Sequence, residues 1–381
     1  MSVALVNGRV LRDGVLVEGQ CVLLEGGRIA AIVDAHDPRC RDAQRHDLGG
    51  GLLLPGFIDS QVNGGGGVLF NDAPSVEAIR AIGAAHRRFG TTGFLPTLIS
   101  ADLDVVARAI TAVRGAIQAG VPGVLGLHIE GPYLNVARKG VHDPAKLREL
   151  DASALGLLTS LREGRTLVTL APEMTTPQII QKLVAAGVVV SAGHTNATYA
   201  EIEPALRHGL TGFTHLFNAM SQLTGREPGA VGAALSDPDS WCGIIVDGVH
   251  TDPVVLRIAL KCKPHERFML VTDAMPSVGT HNASFELQGR RISVSGYVCL
   301  DEDGTLAGSN IDMASSVRNA MSMLGLPLSE AVRMASQWPA EFLGVAHELG
   351  RIAAGYRANL VLSDDELNVR ETWIDGQSSK S

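Results

Sequence analysis

One unit repeats eight times between Gly56 and Asp273: a short apolar run of strand length, a polar or glycine-bearing turn, and a helix-length stretch. The strand-like runs are residues 56–59, 93–97, 124–130, 167–170, 188–191, 213–216, 242–247 and 268–273. Apolar residues at helical spacing over 76–89, 102–119, 177–186 and 253–261 separate them. Nearly continuous apolar strands alternating with amphipathic helices predict parallel strands covered by helices on the outside. Eight such units predict an α/β fold of the TIM-like (β/α)8 barrel type, whose chemistry gathers at the carboxyl ends of the strands. The polar residues that follow the runs, Asp59, Glu130, Glu173, His194, His215, Asp247 and Asp273, would then meet on one rim. An open doubly wound sheet would string them along an edge instead.

The two chain ends read differently. Residues 4–10, 15–18, 22–25 and 29–33 are short strands broken by glycine turns, and 359–362 and 371–374 repeat that style near the C-terminus. A small β-sandwich domain built from residues 1–54 and 349–381 is expected beside a catalytic barrel of 55–348. Residues 285–300 alternate like a hairpin, with breakers at Gly289 and Gly296, and predict an excursion between the eighth strand and the last helices.

With 381 residues and 45% apolar composition the chain can bury a large core. Its formal charge of −8 comes with no basic stripe, which argues against nucleic acid as a partner. Residues 1–10 lack a basic segment leading into an apolar stretch, and no run is long enough to cross a bilayer, so no membrane association and a cytoplasmic location are expected. The five cysteines are scattered, with no Cys-x-x-Cys pair, and are read as reduced and structural. Any metal chemistry therefore falls to histidine and carboxylate.

Glu130 ends Leu125-Gly-Leu-His-Ile-Glu-Gly-Pro, an anion leaving an apolar strand that needs a compensating charge. A metal ion or a partner arginine or lysine would supply it, and this segment alone leaves both open. His128, two residues earlier and deeper, reads as a hydrogen-bonded core histidine. His194 sits among small residues in Ser191-Ala-Gly-His-Thr-Asn-Ala-Thr, and His215 follows 21 positions later, one helix and one return strand away. Adjacent strand ends would present two imidazoles and a carboxylate together, leaving a fourth coordination place, the donor set of a catalytic zinc site. Asp273 closes Phe268-Met-Leu-Val-Thr-Asp and could take a proton from water and return it to a leaving amine, or simply cap a helix or form a buried ion pair. Gln61 and Asn63 stand on the first strand, where a pair of histidines would bind a second metal; neutral amides are poor ligands for such ions, and hydrogen bonding within the rim is the preferred reading.

The ordered set Leu54-Pro-Gly-Phe-Ile-Asp, His128-Ile-Glu-Gly-Pro-Tyr-Leu-Asn, Ser191-Ala-Gly-His-Thr-Asn-Ala, Thr214-His-Leu-Phe-Asn-Ala-Met, Val271-Thr-Asp-Ala and Leu306-Ala-Gly-Ser resembles the N-acetylglucosamine-6-phosphate deacetylases of the amidohydrolase superfamily. The resemblance spans the chain. It implies one divalent ion per subunit, zinc or another first-row ion, held by Glu130, His194 and His215, with Asp273 handling the proton. His142 looks like the family histidine that polarises the acetamido carbonyl; otherwise it is a surface-loop histidine. Gln61, Asn63, Asn218, Ala219 and His250 are counted with the substrate-facing groups. Arg226 looks like the family's phosphate arginine, contributed across a homodimer interface, although alone it reads as a solvated loop charge. Tyr133 stands where some relatives carry tryptophan.

Hydrolysis of the acetamido group of N-acetyl-D-glucosamine 6-phosphate to glucosamine 6-phosphate and acetate is the implied reaction. The galactosamine isomer or a cyclic amide is the alternative substrate, and a non-catalytic sugar-phosphate-binding barrel the alternative class.

Overall fold

The structure, a computed structural model, describes residues 2–380. Strands β1 (Phe57–Val62), β2 (Thr91–Ile99), β3 (Gly126–Glu130), β4 (Arg165–Leu170), β5 (Val189–Ala192), β6 (Gly212–Phe213), β7 (Trp241–Ile244) and β8 (Phe268–Leu270) form one parallel eight-stranded sheet in chain order. Side chains of β1, β2 and β3 are buried along their whole length, because the barrel interior covers one face and helices the other. Helix α1 (Val76–Arg87) starts where Ser75 Oγ accepts from the Ala78 amide. Helix α2 (Leu103–Gln118) buries Val106, Ala109, Ile110 and Val113, the spacing of one helical face. Each fully buried Val, Leu or Ile side chain contributes about 1.5–3 kcal/mol of transfer free energy. Helices α3 (Pro177–Ala185), α4 (Tyr199–Arg207), α5 (Gly229–Ser236) and α6 (Pro253–Cys262) continue the outer ring, and α7 (Met313–Leu324), α8 (Leu328–Ala335) and α9 (Gln337–Phe342) complete it.

The barrel closes between its first and last strands through Asp59. Its Oδ2 accepts from Thr272 Oγ1 at 2.5 Å, its Oδ1 from the Thr272 amide at 3.3 Å, and a parallel bridge pairs Val62 with Ala274. Asp59 therefore does not stand on the rim as expected. It is buried in the seam, where burial pushes its carboxyl up to about 7.

Three further expectations are corrected. The single strand read over 4–10 is two, Val3–Val6 and Arg9–Arg12, because Asn7 turns the chain at φ +58°. The first pairs within a four-stranded sheet, the second within a six-stranded one that also holds Leu52–Pro55, Leu360–Ser363 and Val369–Ile374 from the two ends of the chain. Leu5, Val22 and Ile29 from the first sheet share a core with Leu53, Leu360 and Trp373 from the second, the expected sandwich packing. The excursion read as a hairpin over 285–300 is a four-stranded antiparallel sheet of Ser284–Leu287, Arg290–Ser295, Val298–Leu300 and Leu306–Ser309. Finally, β6, β7 and β8 each stop three residues short of the runs read as strands, so that the chemically interesting residues lie just past the regular strand.

Among the described residues no helix is long and apolar enough to cross a membrane. All five cysteines are free, and only Cys262 is exposed.

Candidate active site

Glu130, His194 and His215 converge at the carboxyl ends of β3, β5 and β6, all buried. His215 Nε2 lies 3.0 Å from Glu130 Oε1 and 3.1 Å from His194 Nε2, and His194 Nε2 lies 3.3 Å from Glu130 Oε1. A tetrahedral ion with bonds near 2.0–2.1 Å holds its donors about 3.3 Å apart, so the three atoms already have the spacing such an ion requires. The residues fit a divalent metal. His194 Nδ1 donates to the Arg138 carbonyl at 2.8 Å, which fixes its tautomer and leaves Nε2 with a free lone pair for the centre. Burial pushes the Glu130 carboxyl up, but the two imidazoles outweigh it and hold the group well below the usual range. For His215 burial pulls the other way, and the Glu130 carboxylate outweighs it to raise the imidazole.

His194, His215 and Asp273 share a backbone peculiarity: each is a non-glycine residue in the left-handed region, at φ +49°, +33° and +52°. Such conformations cost about 1–3 kcal/mol each and persist where the surroundings over-determine them. Here they break the strand just past its end, releasing the side chain from the in-out alternation.

Asp273 is tethered from below. Asn63 Nδ2 donates to its Oδ1 at 2.6 Å, and Gln61 Nε2 donates to the same oxygen at 3.1 Å while also reaching both Glu130 oxygens at 3.2 Å. One amide thus spans the proposed base and a proposed ligand, as the rim hydrogen-bonding reading of Gln61 and Asn63 expects. Asn63 lines the cavity, whereas Gln61 lies beneath it. Burial, with the Glu130 charge next, pushes the Asp273 carboxyl up to about 6.

His142 is no surface histidine. It is buried, 4.4 Å from His194 between ring centroids, and burial pushes its imidazole down to about 3. Its Nδ1 accepts from the Ser100 amide at 3.3 Å and lies 2.8 Å from Ser100 Oγ. A backbone amide can only donate, so Nδ1 carries the lone pair and the proton of the neutral ring sits on Nε2. His128 is the core histidine expected, held between Thr97 Oγ1 at 3.1 Å and Thr169 Oγ1 at 2.8 Å.

These groups open into a cavity of about 330 Å³ that Asn218, Ala219 and His250 also line. His250 Nδ1 is held by Asp247 Oδ2 at 2.5 Å. Of the other rim carboxylates, Glu173 stays outside the cavity and ties loops together, accepting from Asn135 Nδ2, Thr195 Oγ1 and the Asn196 amide at 2.9, 2.6 and 2.7 Å. Arg226 is exposed and Tyr133 buried, and neither lines this chain's cavity. Residue-by-residue reading missed Arg138, Met275 and Leu287 on the wall, and Ser100 behind His142. It had a signal for Leu306 and Gly308, which belong to the quoted Leu306-Ala-Gly-Ser motif. Gly308 sits at φ +61°, and a Cβ there would approach the Asp273 carbonyl to 2.7 Å, so the motif's glycine lets the last strand of the insert run against the end of the barrel.

Residues 52–378 match the Amidohydrolase family, and the chain belongs to it: an enzyme of a hydrolase family that is generally metal-dependent. It is 44% identical, over 97% of its length and 94% of the relative's, to an N-acetylgalactosamine-6-phosphate deacetylase of Shewanella sp. (strain ANA-3). It is 37% identical to the N-acetylglucosamine-6-phosphate deacetylase of Haemophilus influenzae, over 99% of both chains. The solved N-acetylglucosamine-6-phosphate deacetylase of Pasteurella multocida superposes with a TM-score of 0.95 at 37% identity, covering 100% of both chains. Within the family the chain stands among these acetamido-sugar-phosphate deacetylases.

Proposed function

We propose that this enzyme hydrolyses the acetamido group of N-acetyl-D-glucosamine 6-phosphate, giving D-glucosamine 6-phosphate and acetate. The observation that carries the proposal is one cavity holding three ligand atoms 3.0–3.3 Å apart beside a tethered carboxylate. Glu130, His194 and His215 would hold one divalent ion, with zinc suited to two imidazoles and a carboxylate. When bound, that ion supplies Lewis acidity to the acetamido oxygen and acidity to water. Asp273 accepts the proton of the attacking water as its oxygen bonds to the carbonyl carbon. His142, neutral, donates its Nε2–H to the oxygen on which negative charge develops. Asp273 then delivers the proton to the amide nitrogen as the C–N bond breaks, and acetate leaves the free amine.

The galactosamine isomer is the second reading, favoured by the 44% identity to a relative of that name. Acetate release from both phosphorylated sugars, measured on protein of known metal content, tests the function and the stoichiometry together. About one ion per chain and turnover of at least one sugar are expected; a folded, metal-loaded preparation inert on both would overturn the proposal.

A homodimer belongs to the same reading. Arg226 lies away from its own cavity, and the loop that carries it and helix α6 expose Leu223, Val254 and Ile258, each more than half accessible. In this reading a second copy of the chain covers these apolar side chains and its Arg226 serves the neighbouring cavity. Light scattering should give twice the chain mass, and a monomer at micromolar concentration would refute the assembly.

A further inference from the structure

The cavity carries Glu130 and Asp273 as carboxylates, and a phosphate monoester adds one to two further negative charges near neutrality. Among the described residues lining it, Arg138 is the one arginine or lysine. We infer that Arg138 binds the anionic 6-phosphate of the substrate from within the same chain, beside any arginine that a neighbouring subunit contributes. This rests on the sugar-phosphate reading above and adds to it a residue which that reading leaves without a role.

The guanidinium is positioned before any ligand arrives. Its Nε donates to Asn196 Oδ1 at 2.9 Å, and Asn196 is itself pinned through its amide to Glu173 Oε1 at 2.7 Å. That tether uses the inner nitrogen and leaves the two terminal ones, which make no bond to protein among the described residues. A planar guanidinium held in this way can fork onto two phosphate oxygens. The tether also sets where the cation sits. The Thr195 amide donates to the Ala219 carbonyl at 3.1 Å and a parallel bridge joins Thr195 to Met220, so the turn holding Asn196 runs beside the Asn218–Ala219 turn. Arg138 is half-buried, which lessens screening by water, and the nearby cation offsets repulsion between the phosphate and the two carboxylates.

The main chain of Arg138 has a separate task, since its carbonyl accepts from His194 Nδ1. Side-chain replacements keep that carbonyl, so the two tasks separate experimentally. Metal-loaded Arg138→Gln and Arg138→Lys are assayed for acetate release from phosphorylated and unphosphorylated N-acetylhexosamine. The preference for the phosphorylated sugar should fall about tenfold or more in Arg138→Gln, chiefly through KM, with metal content at the parent level and partial recovery in Arg138→Lys. An equal loss on both sugars, or a loss of metal, would overturn the inference and leave Arg138 as a support for His194. If the parent enzyme releases acetate from neither sugar, the deacetylase reading has failed on its own. Calorimetric titration of inorganic phosphate into parent and Arg138→Gln protein then isolates the anion contact: weaker binding by the variant upholds it, and equal binding refutes it.

Discussion

The Asp273→Asn enzyme is expected to lose about a thousandfold in kcat while binding metal as its parent does, since a positioned acid–base group contributes roughly 10²–10⁴ in rate. The substitution is nearly isosteric. Asn63 and Gln61 both donate to Oδ1, an oxygen that asparagine retains, and asparagine tolerates the left-handed backbone at this position. Folding and the metal centre should survive, and only proton transfer is removed. The same group sets the acid limb of the parent's pH profile. Asp273 must be ionised to accept a proton; burial and Glu130 raise its pKa to about 6, and a bound cation lowers it again. Parent kcat/KM should therefore fall with decreasing pH at or below about 6, and residual activity in the variant should lack that limb. Retention of more than a tenth of parent kcat would remove Asp273 from proton transfer.

Glu130→Gln should act on the other half of the site, weakening metal binding by at least about a hundredfold, the upper end of what loss of a mere supporting partner costs. A neutral amide is a poor ligand, and the buried pair of imidazoles would lose the charge now balancing them. The new amide would also present hydrogens to Gln61 Nε2, which now donates to both Glu130 oxygens. Equilibrium dialysis with elemental analysis reads the affinity directly, and activity should return in part as metal is raised. Unchanged affinity would take Glu130 out of the ligand set.

Much of this site was legible because barrel strands advertise themselves. An apolar run ending in Glu130, or in the turn that carries His194, can be found without coordinates, and the 21-residue step from His194 to His215 places them on neighbouring strands. What the run does not disclose is where the strand stops. Apolar residues continue through Ile245 and Val246, and through Val271, although regular pairing ends at Ile244 and Leu270, because burial in the barrel mouth demands apolar side chains whether or not the backbone is extended. The same limit hid the left-handed turns at His194, His215 and Asp273. Asp59 followed the pattern of a rim residue yet serves the seam, since barrel closure depends on contacts between residues more than 200 positions apart. Arg138 was invisible for a related reason: its carbonyl meets His194 and its guanidinium meets Asn196, partners 56 and 58 positions away that bring it to the cavity.

The sheet spanning Ser284–Leu287 to Leu306–Ser309 has a consequence for how such a catalyst diversifies. It meets the barrel mouth through an apolar core in which Leu287, Ile292 and Ala307 pack against Leu69, Ile99 and Met275, and Leu287 and Leu306 face the cavity. The groups proposed to carry out the reaction all lie outside this inserted module. The Ser309 amide donates to the Asp273 carbonyl at 2.9 Å, so the last strand of the module must stay; redesign of residues 284–300 would change the shape a ligand must match while leaving the reactive constellation as it was, and new specificities can arise on this scaffold by remodelling one wall.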